Sequence, residues 1–257
     1  MSLVIDPVSG DPIHYPKRRD VFIFDEEVTE IFDNMAVRSL PMYTEINRIH
    51  AELVAEVVPL SSYPKVLDIG ASTGMLFRTI CNQLQIPCHV APKSFRGYAV
   101  DNSAAMLRKL KETFPWVITA ETDIRYLKFQ TLGYMDVVNM MYTLQFVEPQ
   151  YHTAVLQSCF DILNPGGLFL LAHKESGGCD FRVGGRPYDS IMTDLYLKFR
   201  LDNGYTWQEI EAKTQALRNS MWPMERGMIE EQLHEVGFRC VVETTRWLQF
   251  ASYMAIR

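Results

Sequence analysis

Through the middle of the chain, short apolar runs alternate with stretches whose apolar residues recur every three or four positions. The run at 65–69 predicts a buried strand and 75–84 a helix; 97–100 predicts a strand and 103–113 a helix. Strands are expected at 117–120 and 135–140, a helix over 150–163, and a fully apolar strand at 168–172. The helix before that last strand is expected to stop at Asn164-Pro165-Gly166-Gly167, where a proline removes a donor and glycines favour a turn. Strands alternating with helices imply a parallel sheet covered on both faces.

Upstream, Val28, Ile31, Phe32 and Met35 fall at helical spacing within 21–43. Ile46, Ile49, Leu53 and Val57 continue it over 45–57, until Ser61-Ser62-Tyr63-Pro64 breaks the helix. Downstream, 174–222 interrupts the rhythm. Glycine loops at Ser176-Gly177-Gly178 and Gly184-Gly185 precede helices expected over 188–201 and 207–221. A helix over 225–236 and two strands at 238–244 and 247–256 close the chain. The expected fold is a doubly wound α/β domain with three parts. A leader and helical cap take 1–62, the core sheet 63–173 and 237–257, and a helical insertion or lid with its following helix 174–236.

The 257 residues are 47% apolar and 22% charged, which suits a single soluble domain with elaborations. No apolar run has the length of a membrane span, and residues 1–20 lack a signal-peptide core. A cytoplasmic protein with a partly disordered leader is expected. The net charge of -6 carries no strong nucleic-acid signature. Cys81, Cys88, Cys159, Cys179 and Cys240 form no CxxC pair, so neither a disulfide framework nor a metal centre is expected.

The chemistry gathers where strands end. In Val66-Leu67-Asp68-Ile69-Gly70-Ala71-Ser72-Thr73-Gly74 an apolar strand ends in an acid, then a glycine turn, then a helix. Gly70 permits the sharp turn, and Gly74 a close approach of ligand or helix. Asp68 and the loop amides suit the aminoacyl group of S-adenosylmethionine. Asp101, ending the next strand before Asn102, suits two ribose hydroxyls, with Ser103 as the alternative helix cap. Asp123, beside Ile124, suits an adenine amino group and ring, and Met141 ends the strand that faces the ligand. Ser72 stands where a dinucleotide fingerprint has its pyrophosphate glycine, which disfavours a nicotinamide enzyme.

In this order, the segments resemble the class I methyltransferase superfamily over about 64–172. That resemblance implies a seven-stranded Rossmann-like sheet with the last strand antiparallel. A narrower resemblance, over about 22–250, is to the carboxy-S-adenosylmethionine synthases. It rests on Phe24-Asp25-Glu26, Arg38-Ser39, Pro41, Tyr43, Asp101-Asn102-Ser103, Asp123-Ile124-Arg125, Thr143-Leu144-Gln145-Phe146 and Asn203-Gly204-Tyr205. Members of that family transfer a carboxyl unit from prephenate to adenosylmethionine, for tRNA wobble-uridine modification, and are typically homodimers. Their ligand-binding positions fall here on Tyr43, Gly70 to Ser72, Asp101, Asn102, Asp123 and Ile124. Their asparagine falls on Met141, and the arginine that pairs with the added carboxylate falls on Thr214, with Arg218 one helical turn later.

The first reading is therefore a methyltransferase for an unidentified small-molecule or RNA-related acceptor. The alternatives are a carboxy-adenosylmethionine synthase with Arg218 standing in, and a non-catalytic adenosylmethionine binder. Methyl transfer needs alignment in a dry site more than a dedicated catalytic group. Tyr43 is a candidate to close over the ligand and face its sulfonium. His173 is a candidate base or a structural histidine. Tyr205, Trp207 and Trp222 are either acceptor-pocket or core residues; Arg182, Arg186, Arg200 and Arg218 either bind an anionic acceptor or form a solvated face.

Overall fold

A computed structural model describes residues 24–57, 63–177 and 181–257, together with a two-residue backbone ladder of Val4–Ile5 and Pro12–Ile13. The rest of the expected leader, Ser61-Ser62, Gly178 and Cys179 lie outside the described residues. Seven strands form the main sheet: β1 (Lys65–Ile69), β2 (Arg96–Asp101), β3 (Ile118–Glu121), β4 (Met135–Met141), β5 (Leu163–Lys174), β6 (Cys240–Trp247) and β7 (Phe250–Ile256). Their order is β3-β2-β1-β4-β5-β7-β6, and β7 runs antiparallel to the other six. This is the expected doubly wound sheet.

Alternation along the strands sends side chains to two layers. On one face Leu67, Ile69, Val138, Met140, Phe169 and Leu171 pack under α5 (Pro149–Ile162) and α8 (Met228–Glu235). On the other, Val66, Val137, Leu168 and Leu170 pack under α2 (Tyr43–Val57), α3 (Met75–Gln83) and α4 (Ala104–Thr113). Among the described residues, no helix is long and apolar enough to cross a membrane.

Three elements depart from the sequence expectation. Helix α5 does stop before Asn164-Pro165-Gly166-Gly167, but no separate turn follows. Strand β5 begins at Leu163 and takes those residues in, with a register shift between Met135 and Val137. The free donors of Gly166 and Arg257 account for this, bonding to Arg257 O and Gly167 O across the neighbouring chain end. Second, α2 turns a different face inward from the one its aliphatic residues suggest. Ile46, Asn47, His50, Ala51 and Val54 are buried, whereas Ile49 and Leu53 are only partly so. Two polar residues take core positions there because each finds a partner. Third, helix α7 (Trp207–Leu217) is shorter than expected, since Trp222 N turns away to donate to Gln145 O.

Helix α1 (Glu26–Ser39) is capped by Asp25, whose side chain accepts from Val28 N at 3.1 Å. Arg38 clamps it to the insertion, donating from Nε to Asn203 O at 2.6 Å and lying 4.8 Å over the Tyr205 ring. Tyr196, on α6 (Tyr188–Asp202), donates to Ser39 O at 2.9 Å. The cap and the insertion thus meet each other above the sheet.

Candidate functional site

Strand β1 has β2 on one side and β4 on the other, so the chain leaves it in opposite directions and a crevice opens at the carboxyl ends. A cavity of about 530 Å³ occupies that crevice, bounded by the strand ends below and by α1, α2, α6 and α7 above. The volume suits a drug-sized ligand. Gly70 has φ +70°, and a Cβ there would collide with the Thr143 side chain. Gly70→Ala is expected to cost roughly 2–4 kcal/mol in denaturant unfolding, from left-handed strain plus overpacking. Adding Thr143→Ala is expected to restore part of that loss. Ser72 at φ +48° and Tyr142 at φ +53° are non-glycine residues held in the left-handed region, and both line the cavity.

One wall is acidic. Asp68 is 4% exposed, and its Oδ1 accepts from Asn139 Nδ2 at 2.7 Å. Burial pushes its carboxyl up to about 7, against the Asn139 hydrogen bond and with help from nearby Asp101. Asp101 accepts from Ser72 N and Ser103 N, each at 2.9 Å, and burial lifts it above the ordinary carboxylate range despite these bonds. Neither acid makes an ion pair among the described residues. Ser103 caps α4 through its own hydroxyl, so Asp101 is not needed for that task. Asp123 is different: Arg125 grips it with bonds of 2.9 and 2.6 Å, and these hold its carboxyl below the ordinary range. Glu148 anchors Arg125 from the other side at 2.6 Å.

The opposite wall is basic. Lys174, Arg200, Lys213 and Arg218 all line the cavity, and none makes an ion pair among the described residues. Burial, then Arg200, Arg38 and Lys174, pull the Lys213 ammonium down to about 7. Burial and Arg200 pull Lys174 down to about 8. Lys213 donates to Ser39 Oγ at 3.1 Å, Lys174 lies 4.9 Å over the Tyr196 ring, and Arg200 lies 4.3 Å over the same ring. Arg200 Nε and Tyr142 Oη are buried without a hydrogen-bond partner among the described residues.

Most of the residues singled out from the sequence come together here. Tyr43, Asp68, Gly70, Ala71, Ser72, Asp101, Asn102, Asp123, Ile124, Met141, Thr214 and Arg218 all line the cavity. Gly74 does not; at φ +86° its Cα faces Phe114 and Leu110, so it serves helix packing. Of the two readings left open for His173, the structure supports the structural one. It is fully buried outside the cavity wall, its Nε2 accepts from Met224 N at 3.2 Å, and burial pulls it down to about 3. Its lone pair is therefore already committed, and it cannot act as a base at the cavity. Burial pushes the Tyr43 phenol well up, so it stays protonated. Tyr205 is buried under Arg38, Trp207 is exposed, and Arg182 and Arg186 sit on an exposed hairpin.

Sequence reasoning missed Lys174, Lys213 and Asn139 as site residues, and His50 behind Asn139. Lys213 was detectable: it shares the inward stripe of α7 with Ile210, Thr214 and Leu217, where a lysine is out of place. Asn139 likewise interrupts the apolar centre of β4.

The cavity fits adenosylmethionine in this structure's own terms. Two buried carboxylates without counter-ions suit an ammonium and a ribose diol, and an apolar slot that includes Ile124 suits a flat ring. The family described as a methyltransferase domain matches residues 66–167. The carboxy-S-adenosyl-L-methionine synthase of Aeromonas hydrophila is 31% identical over 92% of this chain and 90% of its own length. That of Pseudomonas entomophila is 32% identical over 91% of this chain and 92% of its own. Among solved structures, an O-methyltransferase family protein from Burkholderia thailandensis superposes with a TM-score of 0.62 at 15% identity, over 91% of this chain. This chain spans 60% of the length of that protein, and the likeness concerns the fold. The chain is an S-adenosylmethionine-dependent transferase of class I fold, and it belongs to the carboxy-S-adenosyl-L-methionine synthase family.

Proposed function

We propose that this chain makes a carboxylated adenosylmethionine with prephenate as the carboxyl donor, and that a basic wall does the work of the family's arginine. The observation that carries this reading is the placement of Lys174, Arg200, Lys213 and Arg218, without acidic partners, across the cavity from Asp68 and Asp101. An acidic wall suits a cation and a basic wall an anion, so the cavity is polarised for two ligands of opposite charge. Thr214 spends its hydroxyl on Ile210 O at 2.7 Å and offers no charge. Its neighbour Lys213 and Arg200 across the wall supply charge instead.

In this reading Asp68 accepts from the ligand ammonium, Asp101 from the ribose hydroxyls, and Ile124 packs on the adenine. Asp123, kept ionised by Arg125, borders the same end. The Gly70–Ser72 turn borders the aminoacyl group, although its amides are spent on Val100 O and Asp101 rather than on a ligand as the sequence suggested, and Tyr43 covers the sulfonium. Adenosylmethionine supplies a sulfonium-activated one-carbon centre. The helical cap and α6–α7 exclude water from it and set the basic wall at working distance. The expected partner is a small anion rather than RNA, although the product serves tRNA wobble-uridine modification in this reading. A cytoplasmic homodimer is part of the same proposal.

A second reading, methyl transfer to an anionic acceptor, uses the same two walls and is favoured by Thr214 and Met141 at the family's arginine and asparagine positions. Calorimetric titration of adenosylmethionine-saturated protein with prephenate separates the two. Saturable, salt-sensitive binding is expected. Adenosylmethionine binding with no response to prephenate would remove the carboxyl-donor reading and leave the second.

A further inference from the structure

A line of buried polar groups leads away from the acidic wall into the interior. Asp68 Oδ1 accepts from Asn139 Nδ2 at 2.7 Å, and His50 Nδ1 meets Asn139 Oδ1 at 2.7 Å. His50 Nε2 then meets Ser252 Oγ at 2.7 Å, and Thr244 Oγ1 donates to that Oγ at 2.9 Å. The five residues come from β1, β4, α2, β7 and β6, so the line crosses the fold. Asp68, Asn139, His50 and Ser252 are each at most 4% exposed. Burying such groups on an apolar sheet is costly unless every one is satisfied.

Their partners dictate the direction of each bond. The ionised form of Asp68, the form that suits an ammonium, can only accept, so Asn139 turns its NH2 toward Asp68 and its carbonyl toward His50. That carbonyl requires a proton on His50 Nδ1. Burial pulls His50 down to about 4, so the ring is neutral and Nε2 accepts from Ser252. The line therefore has one polarity, from Thr244 through Ser252, His50 and Asn139 to Asp68. If His50 lost its donor, Asp68 alone would hold the Asn139 amide, and the amide carbonyl would be left buried without its partner.

We infer that His50 is a positioning residue for the ligand's ammonium group. By fixing the Asn139 amide it pins Asp68 Oδ1, which leaves Oδ2, unbonded among the described residues, to face the cavity. The inference rests on the proposed role of Asp68 toward adenosylmethionine. His50 itself does not line the cavity and acts only through Asn139.

Two substitutions separate positioning from packing. His50→Leu and His50→Asn both remove the ring and leave comparable space, but only asparagine keeps an N–H donor near the Nδ1 position. Adenosylmethionine affinity, measured by calorimetry on folded protein, is expected to fall ~10-fold in His50→Leu, the loss of about one well-made hydrogen bond. In His50→Asn the fall is expected to stay within ~3-fold, even where the two variants have lost similar thermal stability. Ser252→Ala provides a milder variant, and its effect is expected to vanish in the His50→Leu background, because the two act in one line. Equal losses in the two His50 variants, no loss in either, or additive effects with Ser252→Ala would overturn the inference while leaving the cavity's ligand in place. A wild-type protein that fails to bind adenosylmethionine would overturn both.

Discussion

Asp101→Ala is expected to weaken adenosylmethionine binding roughly 100-fold while the protein stays folded. In the proposed reading the carboxylate makes two charge-assisted hydrogen bonds to a ribose diol, and two bonds of about 1.5 kcal/mol each correspond to that factor. The fold tolerates the change because Ser103, not Asp101, caps α4. Asp101→Asn is expected to lose less, since its carbonyl can still accept from Ser72 N and part of the diol. Calorimetry gives the affinities and circular dichroism the fold. An Asp101→Ala protein that binds as tightly as wild type would remove Asp101 from the site.

The second large effect concerns the basic wall. Arg200→Met/Lys213→Met is expected to reduce carboxylated-product formation by ~1,000-fold or more, by removing two charge-assisted contacts to a carboxylate in a dry site. Adenosylmethionine affinity is expected to stay within ~3-fold, because these residues face the other wall. The same double variant is expected to be more stable than wild type when free of ligand. Four cations held together without counter-ions repel one another and are retained at a cost.

The pH dependence follows from Lys213. Its ordinary value is 10.5, and burial with Arg200, Arg38 and Lys174 pulls it down to about 7. Between those values the unfolded chain holds a proton that the folded protein has released. Folding stability therefore rises with pH across this window, by at most about 1.4 kcal/mol per pH unit. The stability gained in Lys213→Met is accordingly expected to be largest at pH 7 and below, and to shrink toward pH 9. Thermal midpoints of the two proteins across that range test the sign. A gain that grows with pH would mean that Lys213 is not desolvated among cations.

The sheet was legible in the sequence because each parallel strand is an apolar run punctuated by an acid or a glycine. Lys65–Ile69 was read to the residue, and Asp68, Gly70 and Asp101 were found by their position at strand ends. Gly74 shows the limit of that reading, since a glycine required by Phe114 packing and one required by a ligand look the same in one dimension. The basic wall was less legible. Arg200 and Arg218 were noticed together with Arg182 and Arg186, and only the packing of α6 and α7 over the sheet separates the pairs. His50 hid within a helix whose aliphatic residues suggested another buried face, and its partner Asn139 lies 89 positions away. Long-range pairing of this kind has no local signature.

The most direct test of the account is mass spectrometry of the small molecules formed when purified protein is incubated with adenosylmethionine and prephenate. A carboxylated adenosylmethionine that depends on both compounds and disappears in Arg200→Met/Lys213→Met is expected. Unmodified adenosylmethionine, or adenosylhomocysteine alone, would contradict it and turn the search to anionic methyl acceptors.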